Sequence, residues 1–168
     1  SLSLRERLAF PPEEMGKALG FLVGTPATTA SSYAREGLIL STCNRTEVYA
    51  VANGASRETD YTSLIEFLSR SRSLPREAFE AHLYSFRGKE AVRHLFQVAS
   101  GLDSMVIGEH EILGQVRQAL KQAQTTAVCG PVLYRLFTQA LSTGRRGRTD
   151  TEIGRGVGSV SHAAVELA

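Results

Sequence analysis

Leu38-Ile39-Leu40-Ser41-Thr42-Cys43-Asn44-Arg45-Thr46-Glu47-Val48-Tyr49-Ala50-Val51-Ala52 is the stretch that decides the fold class. Leu38 to Thr42 and Thr46 to Ala52 read as two strands. Only Cys43-Asn44-Arg45 lies between them, which is hairpin-loop length. The second strand alternates, with Thr46, Val48, Ala50 and Ala52 on one face and Glu47, Tyr49 and Val51 on the other. Asn44 suits the turn, because asparagine is among the few residues that enter the left-handed backbone region cheaply.

Outward from the hairpin the signals are mostly helical. Pro11-Pro12-Glu13-Glu14 starts a helix that runs to about Leu19, with proline in the first turn and acids at the positive dipole end. Thr25 to Ser32 reads as a loop. Thr62 to Arg70 carries Leu64, Ile65 and Leu68 at helical spacing, and Pro75 opens a short helix. Leu83 to Phe86 is a candidate third strand. Three amphipathic helices follow: Lys89 to Ser100, with Ala91, Val92, Leu95, Phe96 and Ala99 as its stripe; Glu109 to Gln124; and a third beginning at Pro131. After Gly144 comes a polar, glycine-rich linker, with apolar residues again from Val160. A small sheet followed by long helices makes the class α+β.

The 168 residues are 42% hydrophobic and 21% charged, which is globular composition. No apolar run is long enough for a bilayer span. Arg5, Glu6 and Arg7 interrupt any signal-peptide core. Cys43 and Cys129 are 86 positions apart with no CxxC, so neither a zinc cage nor a disulfide framework is indicated, and a soluble, reducing compartment fits. Net charge is +2, yet the basic residues are 16 arginines to 3 lysines. The guanidinium fork suits phosphate and carboxylate, which favours an anionic partner. Arg145, Arg146, Arg148 and Arg155 crowd one stretch.

Chemistry concentrates in three places. Cys43 sits in the hairpin loop with Arg45 two residues on, and a nearby cation favours thiolate; the ordinary alternative is a cysteine that packs as a small hydrophobe. His94 lies about 130° from the centre of its helix's apolar stripe at 100° per residue, so it is either solvated or facing a cleft. A cysteine and a histidine are the minimum for an activated thiol with an acid/base partner. The run from Gly101 to Gln115 is dense in glycine and polar groups. Ser104, Glu109 and Gln115 can hydrogen-bond an amino acid there, or the run is a plain helix connector. Gly154-Arg155-Gly156-Val157-Gly158 has no hydrophobic strand before it and is rejected as a dinucleotide loop. No metal-ligand spacing and no HExxH, P-loop or GxSxG is present.

Leu40 to Tyr49 resembles the active-site signature of the glutamyl-tRNA reductases. His94-Leu95-Phe96-Gln97-Val98-Ala99-Ser100, running into Gly101 to Gln115, resembles their second signature. Gly147 to Gly154, with Val160 to Ala168, is similar to the stretch leading out of their catalytic domain. The resemblance implies a ferredoxin-like βαββαβ core followed by long helices. It implies a catalytic domain at 1–145, and at 146–168 a basic linker with the start of a connecting helix toward an absent NADPH-binding domain. It implies NADPH-dependent reduction of tRNA-bound glutamate to glutamate-1-semialdehyde through a cysteine thioester, the first step of the five-carbon route to 5-aminolevulinate and porphyrins. Cys43 is then the nucleophile and His94 the activity-critical histidine. Thr42, Asn44, Arg45, Ser104, Glu109, His110, Glu111 and Gln115 bind the substrate. No cofactor-binding residue lies in this chain. Glutamyl-tRNA is the partner, whole family members are homodimers, and the setting is cytoplasmic, or the plastid stroma in a plant.

Two departures from the family pattern shape the expectations. Only a few residues precede Arg5 to Phe10, where the family has a strand, so the first strand of the core is expected to be missing. The family continues past the position of Ala168 into NADPH-binding and dimerisation domains, so this chain alone is expected to transfer and hydrolyse the glutamyl group without reducing it. Position 110, often proline in the family, is His110. A non-catalytic tRNA-binding or regulatory module using the arginine-rich stretch is the other reading. It lacks the aromatic strand of an RNP-like domain.

Overall fold

The computed structural model describes residues 2–24, 32–54, 57–104 and 111–151. Their contacts divide the chain into two compact units, one within 1–84 plus 119–134, the other within 85–118 plus 135–168.

The first unit holds the sheet. α1 (Leu2–Leu8) and α2 (Pro12–Val23) precede β1 (Glu36–Ser41), β1 pairs antiparallel with β2 (Thr46–Val51), and α3 (Arg57–Arg72) follows. The register runs from Glu36 opposite Val51 to Ser41 opposite Thr46, so the hairpin is present and its loop is residues 42–45. Pro11 is extended at the N-cap of α2, with Pro12, Glu13 and Glu14 in the first turn, as the sequence implies. The helix passes Leu19 and stops at Gly24, which takes φ 72°.

β1 is buried from Glu36 to Leu40, whereas β2 is fully buried only at Glu47. α2 packs on β1 and on α3. Leu19, Leu22, Leu38, Ile39, Leu40, Phe67 and Phe79 form the fully buried centre. The Phe67 ring gathers those of Phe10, Phe21 and Tyr33 at 6.1, 6.0 and 6.0 Å. Each such side chain contributes roughly 1.5–3 kcal/mol by leaving water, so packing rather than the short ladder holds the hairpin. A Cβ on Gly37 would come within 2.5 Å of Leu22 Cδ2, so glycine lets α2 lie directly on the strand.

Glu36, to which the sequence assigned no role, is buried. Its carboxylate accepts from the backbone N–H groups of Val132 (3.2 Å) and Leu133 (2.8 Å) in the first turn of α6 (Pro131–Asp150). Two orphan donors are satisfied, and the negative charge meets the positive end of the helix. Gly130 leaves the room: a Cβ there would stand 2.5 Å from the Glu36 carboxyl carbon.

The second unit contains α4 (Lys89–Ala99), the first turns of α5 (Glu111–Thr125) and α6 from Arg135 onward. Leu95, Val98, Ile112, Val116 and Phe137 make its core. α4 ends in a Schellman turn: Gly101 takes φ 74°, its N–H donates to Val98 and the Leu102 N–H donates to Gln97. Gly101 is therefore explained by helix termination. Within α6, Gly144 passes against the Ala99 carbonyl.

Two expectations change. Leu83 to Phe86 is not a strand; two 3₁₀ turns, Arg76–Ala78 and Glu80–His82, lead into it, and Tyr84 and Phe86 are 56% and 44% exposed. A run that short becomes a strand only when a partner edge is beside it. The described residues thus form an α+β fold with one two-stranded sheet. Residues 146–150, expected to be linker, are helical, because α6 continues to Asp150, and Arg146 pairs with Asp150 one turn on at 3.7 Å. Gly144 and Gly147 do not break it. The rest of that linker, and the glycine cluster at 154–158, lie outside the described residues.

Candidate active site

The loop at 42–45 is built by Thr42. Its N–H donates to the Arg45 carbonyl at 2.8 Å, and its Oγ1 accepts from the Asn44 N–H (3.2 Å) and the Arg45 N–H (3.1 Å). A threonine hydroxyl receiving the amides two and three residues on closes the turn with no left-handed residue. Asn44 accordingly does not adopt the expected positive φ; among the described non-glycine residues only Ser73 and Ala127 do. α1 and the residues just after it hold this end of the hairpin. Arg5 Nη1 donates to the Asn44 carbonyl (3.3 Å), and the Phe10 N–H donates to Ser41 Oγ (2.9 Å). Cys43, exposed and with a free thiol, sits in this fixed loop, so the packed-cysteine alternative does not apply.

Arg45 is aimed first at a residue the sequence reading passed over. Its Nη1 lies 3.0 Å from Glu47 Oε1, with both side chains almost fully buried. The same Oε1 accepts from the Tyr84 hydroxyl at 2.5 Å, and Oε2 accepts from the Tyr49 hydroxyl at 2.5 Å. A buried carboxylate has about four acceptor sites, and Arg45, Tyr84 and Tyr49 take three. Such charge-assisted bonds fix the guanidinium in one orientation. The signal was present in the strand period: Arg45, Glu47 and Tyr49 at i, i+2 and i+4 share a face.

Burial, then the charge and hydrogen bond of Glu47, push the Tyr49 phenol far above its ordinary value of 10.0. A group whose folded value is raised contributes stability that is complete below its unfolded value and is lost as pH rises above it. Wild type and Tyr49→Phe should therefore show equal absorbance change at 295 nm when folded protein is titrated from pH 8 to about 11. A smaller change in the variant would mean that Tyr49 ionises normally.

The second unit holds the other candidates. Leu95, Val98 and Ala99 face the core of α4 while Val92 is 40% exposed, so the stripe centres nearer Ala91 and Val98 than the sequence suggested. His94 is then roughly 90° from it at 100° per residue. It is half-buried against Phe86, ring centroids 4.8 Å apart, rather than on the opposite flank. Ser104 is half-buried, and its Oγ is closed off from solvent without a hydrogen-bond partner. Glu111 is exposed at the start of α5 and Gln115 is half-buried one turn on. Glu109 and His110 lie outside the described residues. The structure thus brings Thr42, Cys43, Asn44 and Arg45 together on one loop, and carries His94, Ser104, Glu111 and Gln115 on the second unit. Among the described residues no cluster of histidine, cysteine and carboxylate side chains could hold a metal, and no helix is long and apolar enough to cross a membrane.

These features define an α+β domain that presents one thiol on a hydrogen-bonded β-hairpin loop. Residues 1–151 match the family described as "Glutamyl-tRNAGlu reductase, N-terminal domain", and the chain belongs to that family. It is 43% identical over 167 residues to the glutamyl-tRNA reductase of Bacillus velezensis, covering 99% of this chain and 35% of that protein. With the glutamyl-tRNA reductase of Geotalea daltonii it shares 43% identity over 172 residues, 100% of this chain and 37% of the relative. The solved glutamyl-tRNA reductase from Methanopyrus kandleri superposes with a TM-score of 0.71 at 33% identity, covering 100% of this chain and 36% of that one. The chain spans about a third of the length of these relatives.

Proposed function

We propose that this domain takes glutamate from glutamyl-tRNA as a thioester on Cys43, within an enzyme that makes glutamate-1-semialdehyde for tetrapyrrole biosynthesis. The observation that carries the reading is the exposed thiol in a loop locked by Thr42 and Arg5, two residues from a buried, oriented guanidinium. In the step, the Cys43 thiolate attacks the ester carbonyl carbon, an S–C bond forms, and the C–O bond to the tRNA ribose breaks. The leaving oxygen takes up a proton, with His94 as its carrier. Thr42, Asn44, Arg45, Ser104, Glu109, His110, Glu111 and Gln115 bind the glutamyl group. The orphaned Ser104 hydroxyl supports this assignment, since a closed-off polar atom without a partner needs an explanation such as a ligand.

NADPH binding, reduction and homodimerisation are assigned, by the family resemblance, to parts of the enzyme beyond 1–145, with 146–168 leading toward them. The hairpin and its flanking helices are taken as part of a ferredoxin-like core, and the setting as cytoplasmic or plastid stroma.

The test is to incubate the chain with glutamyl-tRNA, with and without NADPH, and to separate the products. Free glutamate in both cases is expected, from slow hydrolysis of the thioester. Semialdehyde formed with NADPH would overturn the division of labour. Binding of tRNA without any deacylation would favour a non-catalytic tRNA-binding module instead.

A further inference from the structure

The Glu47 cluster ties the thiol loop to a residue far along the chain. Tyr84 ends the segment that belongs to the first unit, in a stretch without regular structure, and its side chain is more than half exposed. Its ring therefore contributes little to the core, while its hydroxyl reaches Glu47 Oε1, the same oxygen that holds Arg45 Nη1. Glu47 lies opposite Leu40 in the hairpin and is 7% exposed, so its oxygens have little access to water as a replacement donor. Removing one donor from such a carboxylate lets it turn toward those that remain. The guanidinium bonded to it then turns as well.

We propose that Tyr84 is a positioning residue for the thiol loop, acting through Glu47 to set the direction of Arg45, two residues from Cys43. The inference rests on the reading of Cys43 as the acyl acceptor and of Arg45 as a binder of the glutamyl group. Tyr84→Phe keeps the exposed ring and removes only the hydroxyl.

The experiment uses the full chain and two alkylating reagents of nearly equal size, anionic iodoacetate and neutral iodoacetamide. The rate at Cys43 is read by mass spectrometry of its peptide, which separates it from Cys129. Arg45 in its observed setting should favour the anionic reagent. The ratio of the two rates, read well below the melting midpoint of each variant, is expected to fall about three- to tenfold in Tyr84→Phe and by at least as much in Arg45→Gln. An unchanged ratio in Tyr84→Phe would overturn the proposal, and so would a lowered midpoint with the ratio kept, which marks a structural prop. A second arm measures acylation of wild type and Tyr84→Phe by glutamyl-tRNA. If the reagent ratio falls but wild type is never acylated, the positioning role stands and the acyl-transfer reading fails. If wild type is acylated and neither ratio nor acylation changes in the variant, the positioning role fails alone.

Discussion

Cys43→Ser is expected to lower glutamyl transfer from tRNA by roughly a thousandfold or more while leaving the fold in place. The side chain is exposed and takes no part in the core, and the loop is closed by Thr42 and by backbone groups, which serine leaves untouched. What changes is the nucleophile. Near neutral pH a thiol supplies an appreciable thiolate fraction, whereas a serine hydroxyl stays protonated unless a strong base is aligned on it. Cys129 is less suited to the role. Burial and the neighbouring Glu36 carboxylate push its thiol up, away from the reactive form. The check is transfer rate alongside thermal denaturation. A variant that melts like wild type and still accepts glutamate would remove Cys43 from the mechanism.

Gly144→Ala should be among the most destabilising single changes in the chain, by about 3 kcal/mol, or roughly 10 °C in melting temperature. Glycine inside a helix ordinarily costs stability relative to alanine, so the substitution looks favourable on propensity alone. The packing reverses the sign. A Cβ at 144 would stand 2.9 Å from the carbonyl carbon of Ala99, closer still to its oxygen, and 3.0 Å from Leu113 Cδ1. The nearest obstacle is backbone at the end of α4, which cannot swing aside as a side-chain tip would. Either α6 moves off α4, or the Schellman turn at Gly101 distorts. Gly147, three residues on in the same helix, has nothing within 4 Å of a Cβ, and alanine there should be neutral or mildly stabilising. Equal effects at the two positions would refute the packing account.

The hairpin and the main helices were legible because each is written in local periodicity: Thr46 to Ala52 by alternation, and Lys89 to Ser100 and Pro131 onward by apolar stripes. The misreadings arose where tertiary contacts override local signals. Gly144 and Gly147 look like helix breakers, yet Gly144 is the residue that permits close packing. Leu83 to Phe86 is rich in strand formers but meets no partner edge among the described residues. Asn44 has the right chemistry for a left-handed turn, and Thr42 makes that conformation unnecessary. At the site, the thiol and its neighbours were visible as a motif, whereas Glu36 and Glu47 were not. Both are carboxylates in strands, a placement composition alone reads as solvated. Their burial becomes intelligible only when the donors from 132–133, and from Tyr49 and Tyr84, are seen to converge on them.

The most direct test of the central claim is to mix the chain with glutamyl-tRNA, quench in acid within seconds, and measure the intact mass and the peptide masses of the protein. The account predicts a fraction of the protein heavier by one glutamyl residue, with that residue on the peptide containing Cys43, released by hydroxylamine and absent in Cys43→Ser. Deacylation of the tRNA with no adduct on Cys43 at any quench time, or an adduct on another residue, would contradict it.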